Sequence, residues 1–179
     1  MNLTLRALWT AVERFAAARG AVPGTFLWNF GQSALLPGPS ELVMLPLAIA
    51  DPTRTSVLAV AAWGGSVTGG AVAYGIGALA FEPVAKPLLT LLGVGDAGFA
   101  EVVALLARYG WMLIVVSTLT PISTKAIMIT AGATGLPFSS FMVAHAFGRL
   151  IRYVIIVVLL RATAGPLLRL RQRVLQGRG

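Results

Sequence analysis

Apolar residues dominate this chain, and its organisation is read from the places where they are interrupted. Residues 2–19 set Leu5, Leu8, Trp9, Val12, Phe15 and Ala16 at helical spacing, with Arg6, Glu13, Arg14 and Arg19 largely on the other side. That pattern predicts an amphipathic helix over 2–20 lying in a membrane interface; Glu13 and Arg14 interrupt any signal-peptide core. Residues 22–50 are apolar but broken by Pro37-Gly38-Pro39-Ser40-Glu41. A continuous spanning helix tolerates such a cluster badly. The arms, 24–36 and 41–50, reach about 15–20 Å at 1.5 Å per residue, roughly half the hydrocarbon thickness. They predict a re-entrant hairpin over 22–50. Pro37 and Pro39 form its tip, and Asp51-Pro52-Thr53-Arg54 is its polar exit, with Asp51 and Arg54 in a capping turn.

Residues 56–80 run without a charge and predict a full span, whose glycines let neighbouring helices approach closely. Residues 81–110 mix Glu82, Lys86, Asp96, Glu101 and Arg108 with leucine and valine. They predict an external surface connection and a short amphipathic helix ending near Tyr109-Gly110. The broken pattern returns over 111–136, where Thr120-Pro121-Ile122-Ser123-Thr124-Lys125 separates two apolar arms and predicts a second re-entrant hairpin. A last span covers 138–162, interrupted by His145, Arg149 and Arg152, and a basic tail covers 163–179.

The hairpins superpose without a gap at one offset of 84 residues. Pro37 falls on Pro121, Ser40 on Thr124, Met44 on Met128, Ala48 on Gly132, Gly64 on Gly148, and Glu41 on Lys125. One full crossing separates equivalent points, so the two units enter the membrane from opposite sides. The fold class expected is an all-α integral membrane protein, one membrane domain over 1–179. It is an inverted repeat of re-entrant hairpin plus transmembrane helix, an architecture associated with secondary transporters.

Composition narrows the class. Of 179 residues, 57% are hydrophobic and 11% charged, and the mean hydropathy is +0.84. So few charges cannot cover a soluble globule of this size, and so much apolar content excludes a disordered chain. The net charge of +8 and pI near 11.4 would point to nucleic acid in a polar chain. Here the charges lie between apolar runs and fit the membrane surface, so no nucleic-acid partner is expected. With the N-terminus inside, Arg6, Arg14, Arg19, Arg54 and the five arginines after residue 160 put nine of the 14 positive charges inside. Lys86 and Arg108 put two outside, and Lys125, Arg149 and Arg152 put three within the membrane. That asymmetry follows the positive-inside rule and makes both termini cytoplasmic. Cysteine is absent and His145 is the single histidine. The sequence therefore calls for no disulfide, no metal, no cofactor and no catalytic residue.

A charge at membrane depth costs about 2.5 kcal/mol or more, which makes each buried one a functional candidate. Glu41 at the first tip and Lys125 at the second can pair if the tips face each other, as a proton- or substrate-responsive site or as a structural bridge. His145, Arg149 and Arg152 share one helix face by their i, i+4, i+7 spacing. The arginines can hold a phosphate, bind carbonyls freed by the broken helices, or pair with Glu41 and Asp51.

The tip Pro37-Gly38-Pro39-Ser40-Glu41 and its alanine-rich arm resemble the first motif of the DedA family, also described as SNARE-associated or VTT-domain membrane proteins. Pro121, Ala131-Gly132, Leu136-Pro137-Phe138 and Phe147-Gly148-Arg149 resemble its second half, and residues 148–153, Gly-Arg-Leu-Ile-Arg-Tyr, look most like the short YqaA-type branch. The resemblance implies two opposed re-entrant loops in a bacterial inner-membrane protein that transports or scrambles lipids. It also implies proton coupling at the first-loop acid, which Glu41 matches. Where family members carry arginines around the second-loop proline, this chain has Thr118 and Thr124, with Lys125 next; Arg149 or Arg152 can supply that charge instead.

The leading expectation is a lipid translocase for phospholipid or polyprenyl phosphate. Its partners would be anionic headgroups and protons, and its site Glu41, Lys125, Arg149, Arg152, His145 and Asp51. The alternatives are a small proton- or cation-coupled solute transporter and a non-transporting membrane-homeostasis factor; a lipid enzyme is disfavoured by the lack of hydrolase and metalloenzyme motifs. So short a chain leaves a thin wall around any pathway, which leaves room for a homodimer.

Overall fold

The computed structural model describes residue 14 and residues 18–36, 38–119 and 124–176, the stretch 164–176 as backbone alone. The expected interfacial helix over 2–20 falls almost wholly outside the described residues, as do Pro37 and Pro121. Among the described residues there are helices and turns and no strand.

The first broken element is a pair of helices, α1 (Ala21–Ala34) and α2 (Glu41–Ala50). The chain leaves α1 through a tight turn in which the amides of Leu35 and Leu36 both donate to the Gly31 carbonyl, at 2.9 and 2.7 Å. Gly38 then takes φ +131°, a conformation an L side chain rarely adopts. Two side chains of α1 clamp the tip: Trp28 Nε1 donates to the Pro39 carbonyl at 3.2 Å and Gln32 Nε2 to the Gly38 carbonyl at 2.8 Å. After α2 the Asp51 carboxylate accepts from the Thr53 amide at 3.1 Å and the Thr53 hydroxyl at 2.5 Å, capping a short turn over Pro52–Arg54. The expected capping turn is therefore formed. The span α3 (Thr55–Leu79) follows.

The second unit has the same order. Helices α6 (Trp111–Leu119) and α7 (Thr124–Ala133) flank the second break, and α8 (Phe138–Gln176) follows. A shift of 84 carries Glu41–Ala50 to 125–134, one residue from the limits of α7. Met44 and Met128, equivalent at that shift, are both fully buried. Met44 packs with Leu47, Leu58 and Tyr153, and Met128 with Ile114, Ile129 and Phe141.

Among the described residues, two helices are long and apolar enough to cross a membrane, Pro52–Leu79 and Phe138–Thr163. Their outward faces carry side chains such as Val60 and Val143, 67% and 71% exposed, as a lipid-facing surface requires. The spans run antiparallel, since Ser56 bonds Arg161 at one end while Trp63 Nε1 donates to the Ala146 carbonyl at 2.9 Å farther along. Helix α1 lies along α3, α6 lies along α8, and α7 crosses to pack on α3. That crossing is backbone on backbone: a methyl at Gly77 would strike the Ile129 carbonyl, and one at Gly132 the Tyr74 carbonyl. Small residues at such a crossing allow contacts that packing in lipid depends on.

One segment differs from expectation. Residues 81–110 are helical on both sides of the Gly93–Gly95 turn: a wide turn over Phe81–Ala85 leads into α4 (Lys86–Leu91), and α5 (Asp96–Tyr109) follows. The two parts bend by 103° and together are apolar enough for a broken span. Only α5 was expected as a helix, and it ends at Gly110, φ +54°, as expected. Ala85, Leu89 and Leu106 are buried against Ile114, so this segment is part of the core rather than a surface connection. The last span passes residue 163 without a break. Its helix continues to Gln176, through residues such as leucine, arginine and glutamine that favour helix.

Candidate functional site

Breaking a helix frees carbonyls at the end of the first arm and amides at the start of the second. At the first tip, Glu41 opens α2, where its carboxylate suits the positive end of the helix dipole. The Ser40 hydroxyl donates to Glu41 Oε1 at 2.8 Å. At the second tip, Thr124 Oγ1 donates to the Ser117 carbonyl of α6 at 3.1 Å. Lys125 lies in the first turn of α7, where a cation gains nothing from the dipole. Its Nζ instead reaches across and donates to the Leu36 carbonyl just past the end of α1. This contact joins the two tips.

The acid of the first tip is not paired with Lys125. Arg152 takes Glu41, with Nε and a terminal nitrogen each 2.7 Å from Oε1. Its other terminal nitrogen donates to the Thr118 carbonyl of α6 at 2.8 Å. A guanidinium offers donors in a planar fork and can serve an acid and a carbonyl at once, which a single ammonium on α7 does less well. Arg152 thus ties α8 to both hairpins. Asp51 stays in its capping turn and joins neither arginine.

Arg149, one turn earlier, is in a different position. It is 3% exposed, one of its terminal nitrogens lies a long 3.5 Å from Ser33 Oγ, and Tyr153 is a second polar neighbour. Its Nε has no partner among the described residues. No carboxylate lies within 4.0 Å of it among those residues, because Glu41 is engaged by Arg152. A buried cation without an anion is unfavourable unless something supplies the missing charge.

Around Arg149 lies a polar lining that sequence reasoning missed. Thr25, Asn29 and Ser33 stand at i, i+4, i+8 on α1 and are fully buried. The Asn29 amide nitrogen donates to the Thr25 carbonyl at 2.9 Å, which leaves its oxygen as the acceptor for the Tyr153 hydroxyl at 2.7 Å. Having given its proton to Asn29, Tyr153 accepts from Ser66 Oγ at 3.0 Å. The signal was present in the sequence as a period-four polar stripe inside a stretch read as simply apolar. Tyr153 shares the face of Arg149 at i+4.

His145 completes the face and is fully buried. Its Nε2 lies 3.2 Å from the Ser66 carbonyl, which can only accept, so Nε2 carries the hydrogen, and in the neutral ring Nδ1 is then an acceptor. Nδ1 has no partner among the described residues. The ring stacks on Phe141 at 5.6 Å and occupies space that only a glycine at position 70 leaves open. The structure therefore gathers Glu41, Lys125, Arg149, Arg152 and His145 at the meeting of hairpins and spans, and leaves Asp51 at the exit turn.

Paired broken helices meeting over a buried cation define a polytopic membrane protein of the discontinuous-helix kind. The VTT domain matches residues 34–162, and the chain belongs to that family, the DedA family. A relative from Haemophilus influenzae, described as an uncharacterized protein, is 24% identical over 131 residues, which is 73% of this chain and 67% of the relative. No solved structure matches.

Proposed function

We propose that this protein is a lipid translocase that carries a phosphate-bearing headgroup past the midplane of a bacterial inner membrane, with both termini on the cytoplasmic side. Arg149 carries the reading. It is a buried guanidinium lacking an anion, and a phosphate is the anion its fork fits best. The hydroxyls of Ser33, Ser66 and Tyr153 would line the headgroup's path while the tails remain in lipid. Glu41 would alternate between pairing with Arg152 and holding a proton; when protonated it frees a second arginine for the headgroup, which couples translocation to a proton gradient. Nothing in this scheme breaks a covalent bond, so the protein moves its lipid rather than modifying it.

The test is headgroup flipping in vesicles of defined lipid, phospholipid or polyprenyl phosphate, with and without a pH gradient. Acceleration over empty vesicles that Arg149→Gln abolishes is expected; flipping at the empty-vesicle rate overturns the proposal. Ion or solute flux without lipid movement would point instead to a coupled solute transporter.

A further inference from the structure

Outside the polar site, the two spans enclose a lipid-facing groove of about 370 Å³. One end is charged: Arg161 donates to Ser56 Oγ at 2.7 Å, and among the described residues no carboxylate pairs with it. The rest of its lining is apolar apart from Tyr153, and includes Val60, Trp63 and Val157. From Arg161 to Leu150 along α8 is about 16 Å at 1.5 Å per residue, close to half the hydrocarbon thickness and so to the depth of one leaflet. At the inner end the Tyr153 ring lines the groove, while its hydroxyl on the other side bonds Asn29 of the polar site.

A second groove, of about 410 Å³, lies between α6 and α8. The 84-residue shift carries all four α3 residues of the first groove onto lining residues of the second: Ser56 onto Ser140, Ala59 onto Val143, Val60 onto Ala144 and Trp63 onto Phe147. Because the spans are antiparallel, the grooves open at opposite ends of the bundle. The second has serines and Trp111 at its mouth and no cation in its lining. The repeat thus supplies an apolar track at each end, and one of the two carries a charge.

We infer that the α3–α8 groove is a docking site for one hydrocarbon chain of a membrane lipid whose phosphate headgroup carries net negative charge, with the phosphate held at the Arg161–Ser56 mouth. Arg161 supplies the positive charge. The Ser56 hydroxyl accepts from Arg161 and keeps its own hydrogen to donate to a phosphate oxygen. The chain lies over Val60, Trp63 and Val157 and ends at Tyr153. In this arrangement the lipid keeps the orientation it has in its leaflet. The inference rests on the translocase reading only for what becomes of the lipid afterwards; docking stands by itself.

The experiment uses the full chain in vesicles containing trace phosphatidic acid or phosphatidylcholine with a photoactivatable group in one tail, and maps the labelled residues by mass spectrometry. The phosphatidic acid probe should label Val60, Trp63 and Val157 well above residues at least as exposed, such as Leu27 and Leu79. Arg161→Gln should cut that enrichment about fivefold, the contribution of one interfacial cation, towards the phosphatidylcholine level. Val60→Trp, which fills the groove and spares Arg161, should abolish it. Even labelling of all exposed apolar residues, or enrichment unchanged in Arg161→Gln, overturns the inference. So does groove labelling that falls as protein density in the membrane rises, which would mean that a second copy covers the groove. Flipping measured in the same vesicles separates the two ideas: flipping without groove labelling defeats the docking site alone, and groove labelling without flipping defeats the translocase alone.

Discussion

Replacing Arg149 with methionine should make the protein more stable and less active. The side chain is buried and its Nε is without a partner among the described residues, so its charge is a burden on the folded state. Apolar replacement of a buried ion with no carboxylate in direct contact relieves that burden by about 1–3 kcal/mol, which at this chain length raises Tm by about 3–8 °C. Tryptophan-monitored melting in detergent measures it, and flipping should fall to background in the same preparation. Arg152→Met should do the reverse to stability. It strands Glu41, 15% exposed, and frees the Thr118 carbonyl, so Tm should fall by about 3–8 °C. Equal losses of stability in the two variants would remove the distinction between a free arginine and a structural one. These two residues also mark how far the site was legible in the sequence. Their shared face follows from i, i+4, i+7 spacing alone. Which of them meets Glu41 depends on how α8 is rotated against two hairpins from distant parts of the chain, and no local pattern encodes that. The stripe of Thr25, Asn29 and Ser33 was legible in principle, but it lies within residues whose average is apolar, and the average hid it.

Among the helices, the crossing of α7 on α3 is the contact most sensitive to a single atom. Gly77→Ala places a methyl against the Ile129 carbonyl, which is backbone and cannot swing aside. Separating the helices should cost about 1–3 kcal/mol, or about 3–8 °C of Tm. Gly75→Ala is the control. It lies two residues away on the same helix with nothing within 4 Å of the added methyl, and should leave Tm unchanged or slightly raised by better helix propensity. A matching drop in both would mean that helix α3 responds to glycine replacement in general rather than to the crossing. The helices themselves were largely legible, because prolines, glycines and charges interrupt apolar runs at the places where α1, α2, α6 and α7 end. The 84-residue shift placed Met44 and Met128 correctly as equivalents, and both are fully buried. The stretch 81–110 was less legible. Its charges lie on exposed turns of α4 and α5, while Leu89 and Leu106 turn inward, and a segment that alternates charge with leucine looks like surface until its neighbours are known.

For the molecule as a whole, orientation decides which leaflet each groove and each broken tip faces. The spans are antiparallel, so the Arg54 turn at the start of α3 and Arg161 late in α8 lie at one end of the bundle, and the Gly93–Gly95 turn between α4 and α5 belongs to the stretch joining the other ends. By sequence, nine of the 14 positive charges lie before α1, at the Arg54 turn and after residue 160, and two lie in the connecting stretch. A bias of that size predicts that the first end faces the cytoplasm, because cationic segments resist translocation. The absence of cysteine allows a clean test. Ala162→Cys and Gly95→Cys each introduce a single thiol at an exposed position. In intact cells a membrane-impermeant maleimide should label Gly95→Cys, and it should label Ala162→Cys only after permeabilisation. The opposite pattern would invert the protein in the membrane. The charged mouth at Arg161 would then face the outer leaflet, where the translocase scheme would have to collect its lipid from outside and release it inside.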